Sequence, residues 1–158
     1  PLYLALFLVL RRPAASTATL GIVFGLFSVL LFIVSREATF SMWMLSSQHS
    51  AATDPAQKAA LLASGQLLLT VYNGSTFGIS YILGAASTLL FSWSLWRHRV
   101  LGRAPGIVGI VTGLTMLVPP NTGTVGLILS LLSLIPTVIW LILLASAFPR
   151  LPLPSKAQ

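Results

Sequence analysis

The chain has 158 residues, 56% of them hydrophobic and 7% charged, with no cysteine. Soluble domains carry about a quarter of their residues as charges and need polar side chains to cover their surface, so nine basic and two acidic side chains exclude an ordinary water-soluble globule. The net charge of +7 does not indicate nucleic-acid binding, because the basic residues stand at the ends of apolar runs rather than along one face; without cysteine there is no disulfide framework and no thiolate chemistry.

Asp, Glu, Lys, Arg and His are absent from 13–35, 59–96 and 104–149. A helix needs about 20 apolar residues to cross the hydrocarbon, and each stretch is long enough. Runs such as Val29–Val34 and Gly126–Leu132 do not alternate apolar with polar, as barrel strands would. The expected fold is therefore all-α: an integral membrane helical bundle with four full spans, one truncated N-terminal span and one interfacial helix.

In chain order, the sequence opens at Pro1 within an apolar run and without an initiator Met, so it reads as missing its natural N-terminus. Leu2–Leu10 reads as the end of a truncated span closed by Arg11-Arg12-Pro13. It is not a signal peptide, because its positive charge follows the apolar stretch. A span over 17–35 follows, with Arg36 at its far end. Residues 36–58 form the longest polar stretch and read as a loop, with Phe40–Leu45 an interfacial anchor around Trp43.

Asp54, Pro55 and Gln57 then have the pattern of an N-cap, a first helical position and the third residue of a capping box. They start a helix predicted over 55–72, taken as interfacial because Ser64-Gly65-Gln66 interrupts a short apolar run. Asn73-Gly74 offers a left-handed exit or kink, and Ser75 or Thr76 a cap, before a span over 76–96. Arg97-His98-Arg99 and Arg103 make a basic loop. Gly106–Val118 covers only about 20 Å at 1.5 Å per residue, so a span here is placed over 100–118, with Arg103 snorkelling. Pro119–Gly123 is a tight turn. The last span, 124–148, should kink at Pro136, and 149–158 reads as a disordered cytoplasmic tail.

With these crossings, seven of the nine Lys and Arg residues share one side, against Arg36 and Lys58 on the other. The rich side is cytoplasmic by the positive-inside rule. A re-entrant 106–118 segment would bring the division to five against four, which favours a crossing. The location is thus the cell membrane, multi-pass, with a cytoplasmic C-terminus.

The block Leu69–Phe77 followed by Ser80–Gly84 resembles a bacterial multi-pass membrane family. So do Gly109–Val111, Val118–Pro120, Leu129–Ser133 and Ile139-Trp140. This is the domain-of-unknown-function 4386 family, and the similarity runs from about Tyr3 to Phe148. The resemblance implies a six-helix membrane fold, of which this chain lacks the first span and part of the second. It implies no activity and no catalytic residues. Asn73-Gly74-Ser75 fits a glycosylation acceptor pattern, but the bacterial resemblance and a membrane-adjacent position argue against modification.

Candidate chemistry is sparse. Glu37, His49, Asp54 and Lys58 share the outer side, but their spacing fits no zinc motif. Glu37 reads as a solvent-facing or Arg36-paired residue, His49 as a loop residue, Asp54 as a helix cap and His98 as an interfacial residue. No Ser-His-Asp arrangement, paired carboxylates or phosphate-binding glycine loop is present. Accordingly no catalytic, cofactor-binding or metal residues are assigned, and no cofactor.

The spans contain no ionisable residues of the kind that mark proton or ion paths. Ser80, Ser87 and Ser94 repeat every seven residues, and Ser130, Ser133 and Thr137 share another face. Both sets read as interhelical packing, or less readily as a solute path. Gly21/Gly25 and Gly109/Gly113 have GxxxG spacing, suited to packing within the bundle or between protomers, so a homo-oligomer is a possible partner beside the lipid bilayer. The functional expectation is a non-enzymatic membrane bundle of unassigned role. The alternatives are a small carrier or channel for neutral or hydrophobic solutes and, third, a metal-dependent membrane hydrolase.

Overall fold

Hydrocarbon offers a backbone no hydrogen-bond partner, so a chain this apolar satisfies its amides within helices. The structure, a computed structural model, describes residues 1–150; residues 151–158 of the expected tail, with Lys156, lie outside the described residues. The helices are α1 (Leu2–Leu10), α2 (Ala15–Ala51), α3 (Pro55–Tyr72), α4 (Ser75–His98), α5 (Ala104–Thr115) and α6 (Thr124–Ala147), closed by a 3-10 turn, Phe148–Arg150. Among the described residues three helical stretches are long and apolar enough to cross a membrane: Ala15–Ala51, Pro55–His98 counted through the corner at Asn73, and Thr124–Ala147; Ala104–Thr115 is a shorter apolar helix.

The distribution of side chains is that of a membrane protein. Leu26, Leu30 and Ile33 of α2 and Leu131, Ile135 and Ile142 of α6 are exposed. The buried positions are instead dominated by Gly, Ala, Ser and Thr: Gly21 and Gly25 on α2, Ser80, Gly84, Ala85, Ser87 and Thr88 on α4, Gly106, Gly109 and Gly113 on α5. Water would expel such a surface. Lipid tails accept it, and the small residues let backbones approach.

The largest departure from expectation is α2. It does not stop near Ser35 but continues through the polar stretch to Ala51, 37 residues in all, or about 55 Å. No Gly or Pro occurs between Gly25 and Pro55, so nothing breaks the helix, and charge alone does not. His49 is therefore helical. α3 has the expected bounds and the expected N-cap, but without the capping box: Asp54 accepts a hydrogen bond from Ala56 N at 3.1 Å rather than from Gln57 N, with Pro55 in the first turn. Its three-residue connection makes it antiparallel to the distal half of α2. The corner after α3 is not left-handed, since Asn73 has φ −92° and Gly74 φ −75°, and α4 starts with Gly74 rather than Ser75 or Thr76 as its N-cap.

α4 is the central helix. The heptad serines face α2, with Ser28 Oγ donating to Ser80 O and Ser87 Oγ to Gly21 O, each at 2.7 Å. A Cβ added at Gly25 would lie 2.8 Å from the Tyr3 ring and 2.9 Å from Ser87 Oγ, and one at Gly84 2.9 Å from Ser28 Oγ. Tyr3 of α1 stacks on Phe91 at 6.1 Å. On the opposite side α5 seats Gly106 against the Trp96 backbone and Gly109 against Ser92 and Trp140, while Gly113 meets Leu89. Both GxxxG pairs are thus occupied inside the chain.

α5 is shorter than the segment read as a span. Arg99 (φ 54°) and Gly102 (φ 86°) turn the chain tightly, and Pro105 fixes the helix start at Ala104. Gly123 turns with φ 85°, as the Pro-Pro-Asn-Thr-Gly sequence requires. In α6 the carbonyl left without an amide partner by Pro136 is that of Leu132, four residues back. The neighbouring hydroxyls go elsewhere, Ser133 Oγ to Ser130 O and Thr137 Oγ1 to Ser133 O.

These contacts set a test. Gly25→Leu forces a branched side chain into Tyr3 and Ser87 and is expected to destabilise by about 1–3 kcal/mol. Gly65→Ala, with no atom within 4 Å of the added Cβ, is expected to stabilise by about 0.5–1 kcal/mol. Thermal unfolding of the detergent-solubilised chain checks both signs.

Candidate functional site

The longest helix and its antiparallel neighbour form a hairpin that no third helix covers among the described residues, and α3 has no buried residue there. The hairpin is joined to the bundle at Arg36. Its guanidinium carbon stands 4.1 Å from the ring centroid of Tyr72, 4.5 Å from Phe77 and 4.8 Å from Phe32. The three rings come from the end of α3, the start of α4 and the preceding turn of α2. Arginine suits such a place because its guanidinium is weakly hydrated and stacks on aromatic faces. Its Nε is buried without a hydrogen-bond partner, so the rings supply what a carboxylate would. Asn121 Nδ2 donates to Asn73 O at 2.7 Å, which brings the α5–α6 turn to the same corner.

Beyond Arg36 the two helices border an open groove of about 340 Å³. Met42, Leu45 and His49 line it from α2, and Leu61, Gly65 and Leu69 from α3, with Ser46 and Gln66 adding neutral polar groups. Ligand sites usually combine an apolar lining with a few such groups, within about 300–1,000 Å³. Gly65 opens it. Every other glycine inside a helix has a heavy atom within 4 Å of where its Cβ would stand, and Gly65 has none.

The residues weighed from sequence are dispersed. Glu37 is exposed on α2, His49 lies more than three turns further along and borders the groove, and Asp54 caps α3. Among the described residues no three His, Asp or Glu side chains gather as a metal site would require. His98 ends α4 beside the start of α2, where with Arg97 and Ser94 it borders a second recess. Arg97, Arg99 and Arg103 line a third recess at that same end.

Most of the hydroxyls considered for a solute path are sealed, whereas Ser130 and Thr137 of α6 are only half-buried. Ser80, Ser87, Thr88, Ser92, Ser94, Thr112 and Ser133 are all at most 3% exposed, so a column of water does not run along them. Two buried groups near the middle of this seam have no partner, Ser92 Oγ and Trp140 Nε1, and both abut Gly109. Sequence reasoning missed the Arg36 cage and the groove, since the Arg36 contacts to Tyr72 and Phe77 join residues far apart in the chain. The missing Gly and Pro between 25 and 55 were the available signal.

Residues 1–148 match the family described as Domain of unknown function (DUF4386). The chain belongs to this family. None of the curated proteins and none of the solved structures compared with this DUF4386 chain matches it. Membership agrees with the blocks around Tyr72-Asn73-Gly74 and Val118-Pro119-Pro120, and assigns no role to any residue. In the DUF4386 fold seen here, those two blocks are the corners that meet through Asn73 and Asn121.

The Arg36 cage has a measurable consequence. Arg36→Gln keeps length and polarity but removes the cation, and is expected to weaken the docking of α3 by about 1–2 kcal/mol. Hydrogen exchange should then rise across 55–72 and stay unchanged in α4 beyond Ser80, with Arg36→Lys in between. Equal exchange in all three proteins would contradict a bracing role.

Proposed function

We propose that this chain is a non-enzymatic membrane bundle with four full spans, α2, α4, α5 and α6, and part of a fifth in α1, and that its working part is the helical hairpin standing outside the bilayer. The observation that carries this reading is the unbroken α2. Its first half, alongside α4, is long enough to cross the roughly 30 Å hydrocarbon core. Its second half extends past Arg36 and is braced by α3 around the groove.

Two features support the four crossings. α5 leaves the end that holds Arg97, Arg99 and Arg103, and the chain after it reaches Asn121 at the opposite end, beside Asn73. The 12-residue helix covers about 18 Å, and the turn through Pro119 and Pro120 makes up the remainder. The arginines also favour one orientation. Arg11, Arg12, Arg97, Arg99 and Arg103 belong to one end and Arg36 and Lys58 to the other, so the hairpin faces outward by the positive-inside rule.

The groove supports a binding role rather than a transport one. A carrier or channel for neutral solutes would use the hydroxyl faces of α4 and α6, and the α4 face is closed by packing and by hydrogen bonds such as Ser87 to Gly21. The dispersal of Glu37, His49 and Asp54 gives the hydrolase reading no support.

Because the chain has no cysteine, single cysteines report topology without background. In intact cells, a membrane-impermeant maleimide is expected to label Ser47→Cys at once and His98→Cys only after permeabilisation; both positions are exposed. Labelling of both from one side, or protection of Ser47→Cys in a folded protein, would contradict the proposal.

A further inference from the structure

We propose that the groove between the distal half of α2 and α3 binds one single-chain lipid drawn from the adjacent bilayer leaflet, with its acyl chain against Met42, Leu45, Leu61 and Leu69 and its head near His49. This rests on the reading of the hairpin as a structure just outside the membrane.

The first argument is Gly65. A glycine inside a helix destabilises it by about 0.5–1 kcal/mol relative to alanine. In this chain the other helical glycines have neighbours within 4 Å, several of them close enough to hold two helices in contact, such as Gly25 against Tyr3 and Gly109 against Ser92. Gly65 holds nothing, and its missing side chain opens the groove. A local rule broken without a packing gain points to a site.

The second argument is the lining. It contains apolar side chains and the neutral partners Ser46 and Gln66, with His49 at the far end and no Asp, Glu, Lys or Arg. Methionine adapts to a flexible apolar guest. At about 340 Å³ the groove lies near the lower end of the small-molecule range of about 300–1,000 Å³, room for a single slender apolar guest.

The third argument is position. Phe40 and Trp43, 75% and 72% exposed, flank the Met42 end of the groove. An exposed Trp next to an apolar span belongs at the headgroup level, where its ring meets apolar chains and its N–H meets water. The Met42–Leu69 end therefore opens where lipid is present, and the His49 end lies further out, toward water. A bound lipid keeps the polarity it has in the leaflet, tail inward and head outward.

The test uses the full chain in lipid nanodiscs with a photoactivatable long-chain fatty acid as probe. Cross-links are expected in peptides covering 42–49 and 61–69, saturable and displaced by unlabelled fatty acid. Gly65→Phe fills the groove without meeting another atom at its Cβ and should lower that cross-linking at least about tenfold, equivalent to about 1.4 kcal/mol. Gly65→Ala should retain it. Cross-links confined to the outward faces of α2 and α6, or unchanged in folded Gly65→Phe, would overturn the proposal. So would a wild-type dimer that Gly65→Phe dissociates, because the occupant would then be a second copy. Mapping on the wild-type chain decides the matter even if Gly65→Phe does not fold. Protection of Ser47→Cys from outside would instead count against the placement of the hairpin, a result separable from loss of probe binding.

Discussion

Helices immersed in hydrocarbon gain little by hiding apolar side chains from their surroundings, so they must associate through close backbone approach. That constraint organises this protein. α4 presents Ser80, Gly84 and Ser87 to Gly21, Gly25 and Ser28 of α2, and its other side receives Gly106, Gly109 and Gly113 of α5. Hydroxyls such as Ser28 and Ser87 are anchored to carbonyls of the facing helix, and most large side chains outside the Leu6, Phe91, Leu95 and Trp140 cluster are left on the outer surface. A bundle built this way has little room for an aqueous path along α4, because the hydroxyls that would line one are buried at the helix contacts.

The same constraint ends where α2 passes Arg36. Below that level α2 is packed through glycine and serine. Above it, Met42, Leu45 and His49 face Leu61 and Gly65 across a looser seam that leaves an open groove. On the proposed topology this change in packing falls where α2 leaves the bilayer. Arg36 stands at the transition, and its three aromatic neighbours join α2, α3 and α4 at one point. The DUF4386 chain thus combines a tightly closed membrane part with an open, braced hairpin.

The membrane part was legible in the sequence because charge is absent over lengths that match a bilayer, and because Ser80, Ser87 and Ser94 repeat at a heptad spacing that places them on one face. The start of α3 was legible too, since Asp54-Pro55 has one common structural meaning. The continuation of α2 was not. Arg36, Glu37 and the Ser46–His49 run look like a loop by polarity, and polarity does not end a helix. The groove was illegible for a different reason. Gly65 beside Ser64 and Gln66 reads as an interruption, and only the empty space around its Cα shows that the interruption has no packing purpose. The partners of each GxxxG pair were equally hidden, because spacing shows that a close approach occurs but not with what.

The central claim is that one continuous helix passes from the bilayer into water and carries the groove with it. Nitroxide labels placed singly along α2 from Leu20 to Ser50 in liposomes measure this most directly, by comparing relaxation from oxygen with relaxation from a water-soluble nickel chelate. The account predicts a single helical periodicity of about 3.6 residues through the whole series, with oxygen dominating before Arg36 and nickel increasingly after it. Loss of periodicity beyond Arg36, or oxygen dominating as far as Ser50, would contradict it.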